Sequence, residues 1–185
     1  MLTWIVPLIA IALGLVIIVL FNRLVRARQM AREGWSGIDV QLKRRSDLIP
    51  NLVDSVKSYA AHEHDVLTEV TQLRGAARAL PADAVGQRAQ AETALSLALG
   101  RLVVLAEAYP DLKASGNFLK LQQQLSDMES EIQMARRYYN GAVRNLNILV
   151  ESFPSNLIAK PLGFTPGAYF ELNDAAERAT PAVKL

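Results

Sequence analysis

The sequence contains no cysteine, only two histidines and few aromatic side chains among its 185 residues. Without cysteine, neither a disulfide framework nor a thiolate metal site can form. His62 and His64 are two residues apart, so on a helix their imidazoles would point about 200° away from each other and could not share a metal ion. We therefore predict no metal, no cofactor and no catalytic residues. Of three functional hypotheses, an enzyme that uses His62 and Glu63 is the weakest.

Charged side chains are absent from residues 1–22, and Leu2–Phe21 is a continuous apolar run of 20 residues. At about 1.5 Å per residue, a helix of this length spans about 30 Å, the thickness of the hydrocarbon core of a bilayer. A cleaved signal peptide would need a basic start, a shorter apolar core and a small-residue cleavage site, which this segment lacks. We expect residues 1–22 to be a retained transmembrane anchor, in which Ala10 and Gly14 form a small-residue patch for helix packing.

The charge balance changes along the chain after the apolar run. Residues 23–45 carry seven cations and two anions, a net charge of +5, whereas residues 46–185 carry 13 cations and 16 anions, a net charge of −3. A basic segment beside an anchor suits anionic lipid headgroups, and the positive-inside rule then predicts a cytoplasmic location for the following domain. The distribution argues against nucleic acid as a partner, because the globular part is not basic. Within the basic juxtamembrane segment, residues 23–35, the predicted headgroup contacts are Arg23, Arg26, Arg28 and Arg32.

The remainder of the chain has helical periodicity throughout, and no segment alternates polar and apolar side chains over a useful length. Pro81, Pro110 and Pro154 end three long helical runs, of which the last, from Phe118 to Phe153, is the most regular. We therefore predict an all-α protein in which an N-terminal transmembrane helix is followed by an antiparallel bundle of long helices. The predicted boundaries are residues 36–173 for the helical bundle and residues 174–185 for a flexible C-terminal tail.

The junction between the anchor and the bundle contains two glycines and a proline. Ser36-x-x-Asp39 has the form of a capping box, which predicts a helix that begins at Ser36. Gly34 and Gly37 would then loosen the join between this helix and the anchor. Apolar residues resume on the same face after Pro50, so we predict that the helix continues through Pro50 with a bend.

An aromatic residue and a basic cluster near this junction are predicted to form an interaction surface. A basic cluster beside the membrane can dock against the acidic flank of a neighbouring copy. For Trp35 two interpretations stay open: an interfacial side chain at the membrane edge, or a side chain packed against the base of the bundle. The predicted surface consists of Trp35, Lys43, Arg44 and Arg45.

Four segments of the chain carry a recognisable family pattern: GWSGIDVQLKRRSDLIPNLVDSVKSYAAHE, NFLKLQ, ARRYYN and ESFPSNLIA. Through them the sequence resembles, from Phe21 to Phe170, the LemA family of bacterial membrane proteins. The resemblance implies a single N-terminal membrane span, a mostly helical soluble domain and a location at the bacterial inner membrane. It implies no assigned catalytic residues, so it indicates the architecture and leaves the function open.

Two functional hypotheses follow for a protein without catalytic residues. The first is a membrane-anchored helical scaffold that self-associates into oligomers and organises partners or lipid. The second is an adaptor that binds another membrane protein, such as a protease or a signalling enzyme. Both hypotheses take the lipid bilayer as a partner, and the mass of the detergent-solubilised protein would distinguish them.

Overall fold

A computed structural model of the protein describes residues 2–60 and 62–171. The regular secondary structure of these residues is helical. Within these residues there is no strand. The all-α prediction is therefore confirmed, with an apolar helix at the N-terminal end. The predicted flexible tail, residues 174–185, lies outside the described residues. The helices are α1 (Leu2–Lys57), α2 (His64–Ala79), α3 (Val85–Glu107), α4 (Pro110–Lys113), α5 (Gly116–Glu151) and α6 (Asn156–Ala159).

The first helix, α1, continues from the apolar segment into the folded part of the chain without interruption. Ser36 and Asp39 both lie in its interior, so the predicted helix start at Ser36 is wrong. Packing explains the continuity, because helices in proteins are stabilised chiefly by a buried apolar face rather than by local propensity. The buried stripe of this part of α1 consists of Leu24, Ala27, Ala31 and Ile38.

The first predicted bundle helix is in fact two helices, α1 and α2. The chain stays helical through Pro50, as predicted, but α1 ends at Lys57. In the turn that follows, the backbone N–H groups of Tyr59 and Ala60 both donate to the carbonyl of Val56, at 3.0 and 2.8 Å. This turn contains neither glycine nor proline. The sequence therefore offered no ordinary stop signal at this position.

The histidine pair lies at this turn rather than inside a helix. His62 belongs to the turn and His64 is the first residue of α2, so the helical geometry that separated their imidazoles does not apply. Glu63 accepts a hydrogen bond from the hydroxyl of Tyr109 at 3.2 Å, which gives it a structural contact. Among residues 2–60 and 62–171, no group of three or more histidine, aspartate or glutamate side chains is placed to hold a metal ion.

The chain divides into two compact units. Unit 1 comprises Met1–Ile38 and Met134–Tyr169, and unit 2 comprises Asp39–Gln133 and Phe170–Leu185, of which the structure describes the part up to residue 171. The long helices α1 and α5 each contribute residues to both units. Each unit has its own buried side chains and is described by itself.

Unit 1 is an antiparallel pair of helices with the C-terminal segment packed on it. Gly34 of α1 lies beside Tyr139 of α5, whereas Arg23 of α1 and Leu149 of α5 line a common groove. The two helices therefore run in opposite directions. The C-terminal segment is attached to this pair by the hydroxyl of Tyr139, which donates to the carbonyl of Ala168 at 2.8 Å.

An asparagine on α5 holds the same C-terminal segment in place. The Nδ2 group of Asn147 donates to the carbonyl of Gly167 at 3.1 Å, and the backbone N–H of Gly167 donates to Oδ1 of Asn147 at 2.8 Å. Both backbone groups of Gly167 thus find partners, which matters because a buried polar group without one is destabilising. These bonds fix the extended segment on the surface of α5.

Unit 2 is a helical bundle built from the second part of α1, α2, α3 and the first part of α5, with the short α4 between α3 and α5. The described part of this unit contains four long helical segments rather than the three predicted, because the chain turns after Lys57. Its core is formed by large aliphatic side chains and one phenylalanine. The fully buried members include Ile49, Leu52, Val56, Val70, Leu95, Leu102, Leu112 and Phe118.

Gly34 permits a close approach of α1 and α5 in unit 1. A Cβ atom at this position would lie 2.9 Å from the Cα atom of Tyr139 and 3.1 Å from the ring of Tyr138. The first distance is well inside the separation at which two carbon atoms attract each other. A Cβ atom at Gly37 would meet nothing within 4 Å. The prediction that both glycines loosen the chain is wrong: both lie inside α1, and Gly34 makes room for a neighbouring helix.

Alanine substitutions at these two glycines should change stability in opposite directions. Gly37→Ala should raise the free energy of unfolding by about 0.5–1 kcal/mol, because alanine favours the helix interior. Gly34→Ala should lower it by roughly 1–3 kcal/mol, because the added methyl group overpacks the helix contact. Thermal unfolding of the full chain in detergent, followed by circular dichroism, measures both changes. If Gly34→Ala were as stable as Gly37→Ala, the close approach of the two helices would be disproved.

Candidate functional site

The apolar part of α1 is uncovered along its length. Its large side chains are exposed from Trp4, at 79%, to Phe21, at 38%, and none of its most apolar stretch is buried within the described structure. Ala10 is exposed, and a Cβ atom at Gly14 would meet nothing within 4 Å. The predicted packing patch is therefore open to a partner helix.

The four arginines predicted to contact lipid headgroups have different surroundings. Arg23, Arg26 and Arg32 are exposed. Arg28 is half-buried, and its guanidinium carbon lies 4.5 Å from the centre of the Phe164 ring. This is a cation–π contact, in which the face of the ring attracts the positive charge. Three of the four arginines thus project into solvent beside the apolar segment, and Arg28 holds an aromatic residue of the C-terminal segment.

Trp35 packs inside unit 1. Its ring centre lies 5.4 Å from that of Tyr139, with an angle of 53° between the ring planes. This contact favours the packing interpretation of Trp35 over the interfacial one. Burial raises the pKa of Tyr139 above its ordinary value, because the charged phenolate would lose hydration. The hydroxyl therefore keeps its proton and its hydrogen bond to the C-terminal segment.

An open groove of about 340 Å³ lies between α1 and α5 in unit 1. Arg23 and Arg26 provide positive charge at its edge, and Met30, Ile148 and Leu149 provide apolar surface. Cationic side chains next to apolar surface match the chemistry of an anionic lipid, which has a charged headgroup and apolar chains.

The basic cluster in the next turns of α1 does not form one surface. Lys43 and Arg44 are exposed, whereas Arg45 is only 1% exposed. Each residue of a helix is rotated by about 100° from the one before it, which places Arg45 on the same side of α1 as the buried Leu42 and Ile49. The prediction that Arg45 belongs to an exposed interaction surface is therefore wrong.

Arg45 is the centre of a charge cluster inside unit 2. Its guanidinium donates to the carboxylate of Glu92 on α3, to that of Glu129 on α5 at 2.9 Å, and to the hydroxyl of Ser96 on α3 at 2.8 Å. The side chain of Glu92 is 5% exposed and that of Glu129 is 40% exposed. A buried arginine needs such partners, because taking its charge out of water costs several kcal/mol. Arg45 therefore links α1 to both α3 and α5 within unit 2.

The charge cluster borders an open groove of about 490 Å³ between α3 and α5, which we call the unit 2 groove. Arg45 and Glu129 form its charged side, and Leu99, Val103 and Leu125 form its apolar side. Grooves that combine apolar surface with a few polar groups are typical binding sites for ligands and partner chains. The arrangement places a charged side and an apolar side within one groove.

The sequence analysis did not identify the partners of Arg45. Glu92 and Ser96 are four residues apart in an alanine- and leucine-rich helix, so they share one face of α3. A glutamate on such a face is a signal that a buried cation lies opposite. Glu129 gave no comparable signal, because the helix around it is rich in polar residues.

A sequence profile of the LemA family matches residues 34–185. The chain belongs to the LemA family. The matched region contains both Gly34 and Arg45, whereas the apolar segment of α1 precedes it. The family resemblance noted from the sequence motifs is therefore confirmed.

This LemA-family chain is similar to three bacterial proteins in particular. Protein LemA of Metamycoplasma hominis is 28% identical over 153 residues, which cover 83% of this chain and 69% of the relative. Magnetosome protein MamQ 2 of Paramagnetospirillum magneticum is 26% identical in an alignment of 187 positions, which covers 88% of this chain and 68% of the relative. Magnetosome protein MamQ of Magnetospirillum gryphiswaldense is 24% identical with the same coverage. These names specify no reaction and no ligand.

Alanine substitutions at two adjacent arginines of this LemA-family chain should change the free energy of unfolding by different amounts, because one side chain is buried and the other is exposed. Arg45→Ala should lower the free energy of unfolding by about 3–5 kcal/mol, because it leaves the buried carboxylate of Glu92 without its cation. Arg44→Ala, the matched control, should change it by no more than about 0.5 kcal/mol, because Arg44 is exposed. Chemical denaturation in detergent measures both values. Equal effects at the two positions would show that Arg45 is not buried in an ion pair.

Proposed function

We propose that this LemA-family chain is a single-span, membrane-anchored helical scaffold whose copies associate in the bacterial inner membrane, and that it performs no catalysis. The observation that carries the proposal is the exposure of the apolar residues between Trp4 and Phe21. Covering each large apolar side chain is worth about 1.5–3 kcal/mol. A helix with this many uncovered apolar side chains is stable in a bilayer and would aggregate in water.

A second helix, α3, is also long and apolar enough to cross a membrane. Its apolar face includes Leu95, Ala98 and Leu102, which belong to the core of unit 2. It also carries the charged side chains of Arg88 and Glu92, both of them buried. These features suit the core helix of a soluble bundle, and they support a single membrane span formed by α1 alone.

The orientation that we propose places both units on the cytoplasmic side. Its support is the charge asymmetry, because positively charged residues flanking a span favour the cytoplasm. Arg23, Arg26 and Arg32 are exposed directly after the apolar segment. The bacterial relatives support a bacterial membrane as the location.

Labelling of one engineered cysteine should test the anchor and its orientation together. The chain has no cysteine of its own, so Lys120→Cys creates a single reactive site at an exposed position outside the proposed contact between copies. We expect the protein to stay in the membrane fraction after alkaline extraction. A membrane-impermeant maleimide should label it only after the membrane of bacterial spheroplasts is permeabilised. Release by alkali would contradict the anchor, and labelling of intact spheroplasts would contradict the orientation.

Self-association is supported by three features of the chain. The open Ala10 and Gly14 positions allow two anchors to approach closely. Confinement to one membrane raises the effective concentration of the copies. Lys43 and Arg44 are exposed cations, and residues 46–185 carry a net charge of −3. Arg45, which is buried, takes no part in this contact.

Charge reversal at the two exposed cations should weaken the assembly. We expect the full chain to sediment in mild detergent at low salt as a species larger than a monomer. Lys43→Glu together with Arg44→Glu should shift it towards the monomer, as should high salt, because exposed charge pairs are screened. Lys113→Glu with Lys120→Glu is the matched control, since it changes the net charge equally at other exposed positions of unit 2. Sedimentation of the unmodified chain as a monomer at low salt would refute self-association.

The second candidate function is an adaptor for another membrane protein. It is favoured by the unit 2 groove, an open groove whose apolar side includes the half-buried Val103 and Leu125. An adaptor would sediment as a monomer in isolation and gain mass only with its partner. The sedimentation experiment therefore also separates the two candidates.

A further inference from the structure

Three large apolar side chains are exposed in the loop that follows α5. The loop comprises residues 152–163 and contains the short helix α6. Phe153 is 78% exposed, Leu157 is 65% exposed and Leu162 is 49% exposed. Apolar side chains scattered singly over a surface need no explanation, but three within ten residues form a local patch.

The loop that presents these side chains is well held in unit 1. Two of its own side chains, Ser155 and Ala159, are buried. The hydroxyl of Ser155 donates to the carbonyl of Ser152 at 2.9 Å, and the N–H of Phe164 donates to the carbonyl of Ala159 at 2.9 Å. The exposure of the apolar side chains therefore results from a defined backbone, in which Ser155 and Ala159 face inward.

The loop lies beside the point where the apolar segment of α1 ends. Phe164, which directly follows the loop, has its ring centre 6.0 Å from that of Phe21. Phe21 is the last residue of the apolar run. On the basic segment, the guanidinium carbon of Arg28 lies 4.5 Å from the centre of the Phe164 ring. Phe164 thus bridges the end of the apolar run and the start of the basic segment. If α1 spans a bilayer, this level is the boundary between acyl chains and headgroups.

We propose that the 152–163 loop is a second membrane contact, in which Phe153, Leu157 and Leu162 insert between the upper acyl chains of the leaflet next to the anchor. The inference rests on the proposed membrane anchor. Lipid is the occupant that fits, because Phe164, which directly follows the loop, packs against Phe21 at the end of the apolar run. Apolar side chains flanked by cations are typical of elements that lie in the plane of the membrane interface.

The charges around the loop support the same occupant. Lys160 is exposed on the loop itself, and Arg23 and Arg26 are exposed on α1 at the edge of the unit 1 groove. Each cation near an anionic surface contributes about 1 kcal/mol of attraction. Long cationic side chains also keep their charge at headgroup level while their stems cover apolar surface. The loop and the groove would together hold unit 1 against the membrane surface.

Depth-dependent quenching in lipid vesicles tests the inference with the full chain. Single cysteines at Leu157, Leu15 and Met134 would each carry an environment-sensitive fluorophore, and the protein would be reconstituted in phosphatidylcholine–phosphatidylglycerol vesicles. Leu15 reports on the anchor. Met134 is the matched control, since it is an apolar residue of unit 1 with 47% exposure that lies about 25 Å along α5 from the loop. The quencher is a spin label attached to the lipid, either at the top of the acyl chain or near its end.

We expect the Leu157 probe to show a blue-shifted emission and to lose most of its fluorescence to the shallow quencher. The Leu15 probe should respond most strongly to the deep quencher, and the Met134 probe should respond to neither. A Leu157 probe that behaves like the Met134 probe, while Leu15 is quenched, would overturn the second contact and leave the anchor intact. Failure to quench Leu15 would instead overturn the anchor. A blue shift at Leu157 without lipid quenching would mean that another protein copy covers the loop, which also overturns the inference.

Discussion

The unbroken continuity of α1 is the constraint on which the other features of the structure depend. Its first part presents apolar side chains outward, and its later turns bury one stripe against α5 in unit 1. A loose joint would allow the apolar part to move independently. The structure has none between Phe21 and Ile38, so every contact made by unit 1 is fixed relative to the apolar helix. This helix therefore positions three features of unit 1. They are the close approach at Gly34, the ring of Phe164 beside Phe21, and the exposed residues of the 152–163 loop.

The same helical rotation divides the basic residues of α1 between surface and core. Lys43 and Arg44 face solvent. The next residue, Arg45, continues the buried stripe and forms ion pairs with Glu92 and Glu129. Buried ion pairs are generally a modest source of stability, but breaking one is strongly destabilising. The helices of unit 2 therefore pack stably only when the positive charge of Arg45 is matched by the carboxylates of Glu92 and Glu129. A run of basic residues predicts an exposed surface only when the side of the helix on which each residue lies is known.

Much of the fold is readable from the sequence, and the exceptions have physical causes. Helical class follows from periodicity, and Pro81, which was predicted to end a helical run, lies two residues after the end of α2. The turn after Lys57 was missed because residues 58–63 contain neither glycine nor proline, the usual signals that end a helix. The predicted helix start at Ser36 was wrong because the burial of an apolar face keeps α1 continuous in spite of a favourable local capping pattern. Arg45 was predictable: it occupies the position between Leu42 and Ile49 at which the apolar stripe lacks a member. Of its partners, Glu92 was indicated by its place on an apolar helix face, whereas Glu129 was not, because the helix around it is rich in polar residues.

Amide hydrogen exchange of the full chain in lipid vesicles tests the central claim, that α1 continues from the apolar segment into the rest of unit 1 as one helix. Exchange of residues 22–38 is the decisive quantity, because this stretch joins the apolar segment to the rest of unit 1. A continuous helix packed on α5 predicts slow exchange throughout the stretch, including Gly34 and Ser36. Fast exchange confined to residues 34–37, with protection on both sides, would reveal a flexible joint and contradict the account.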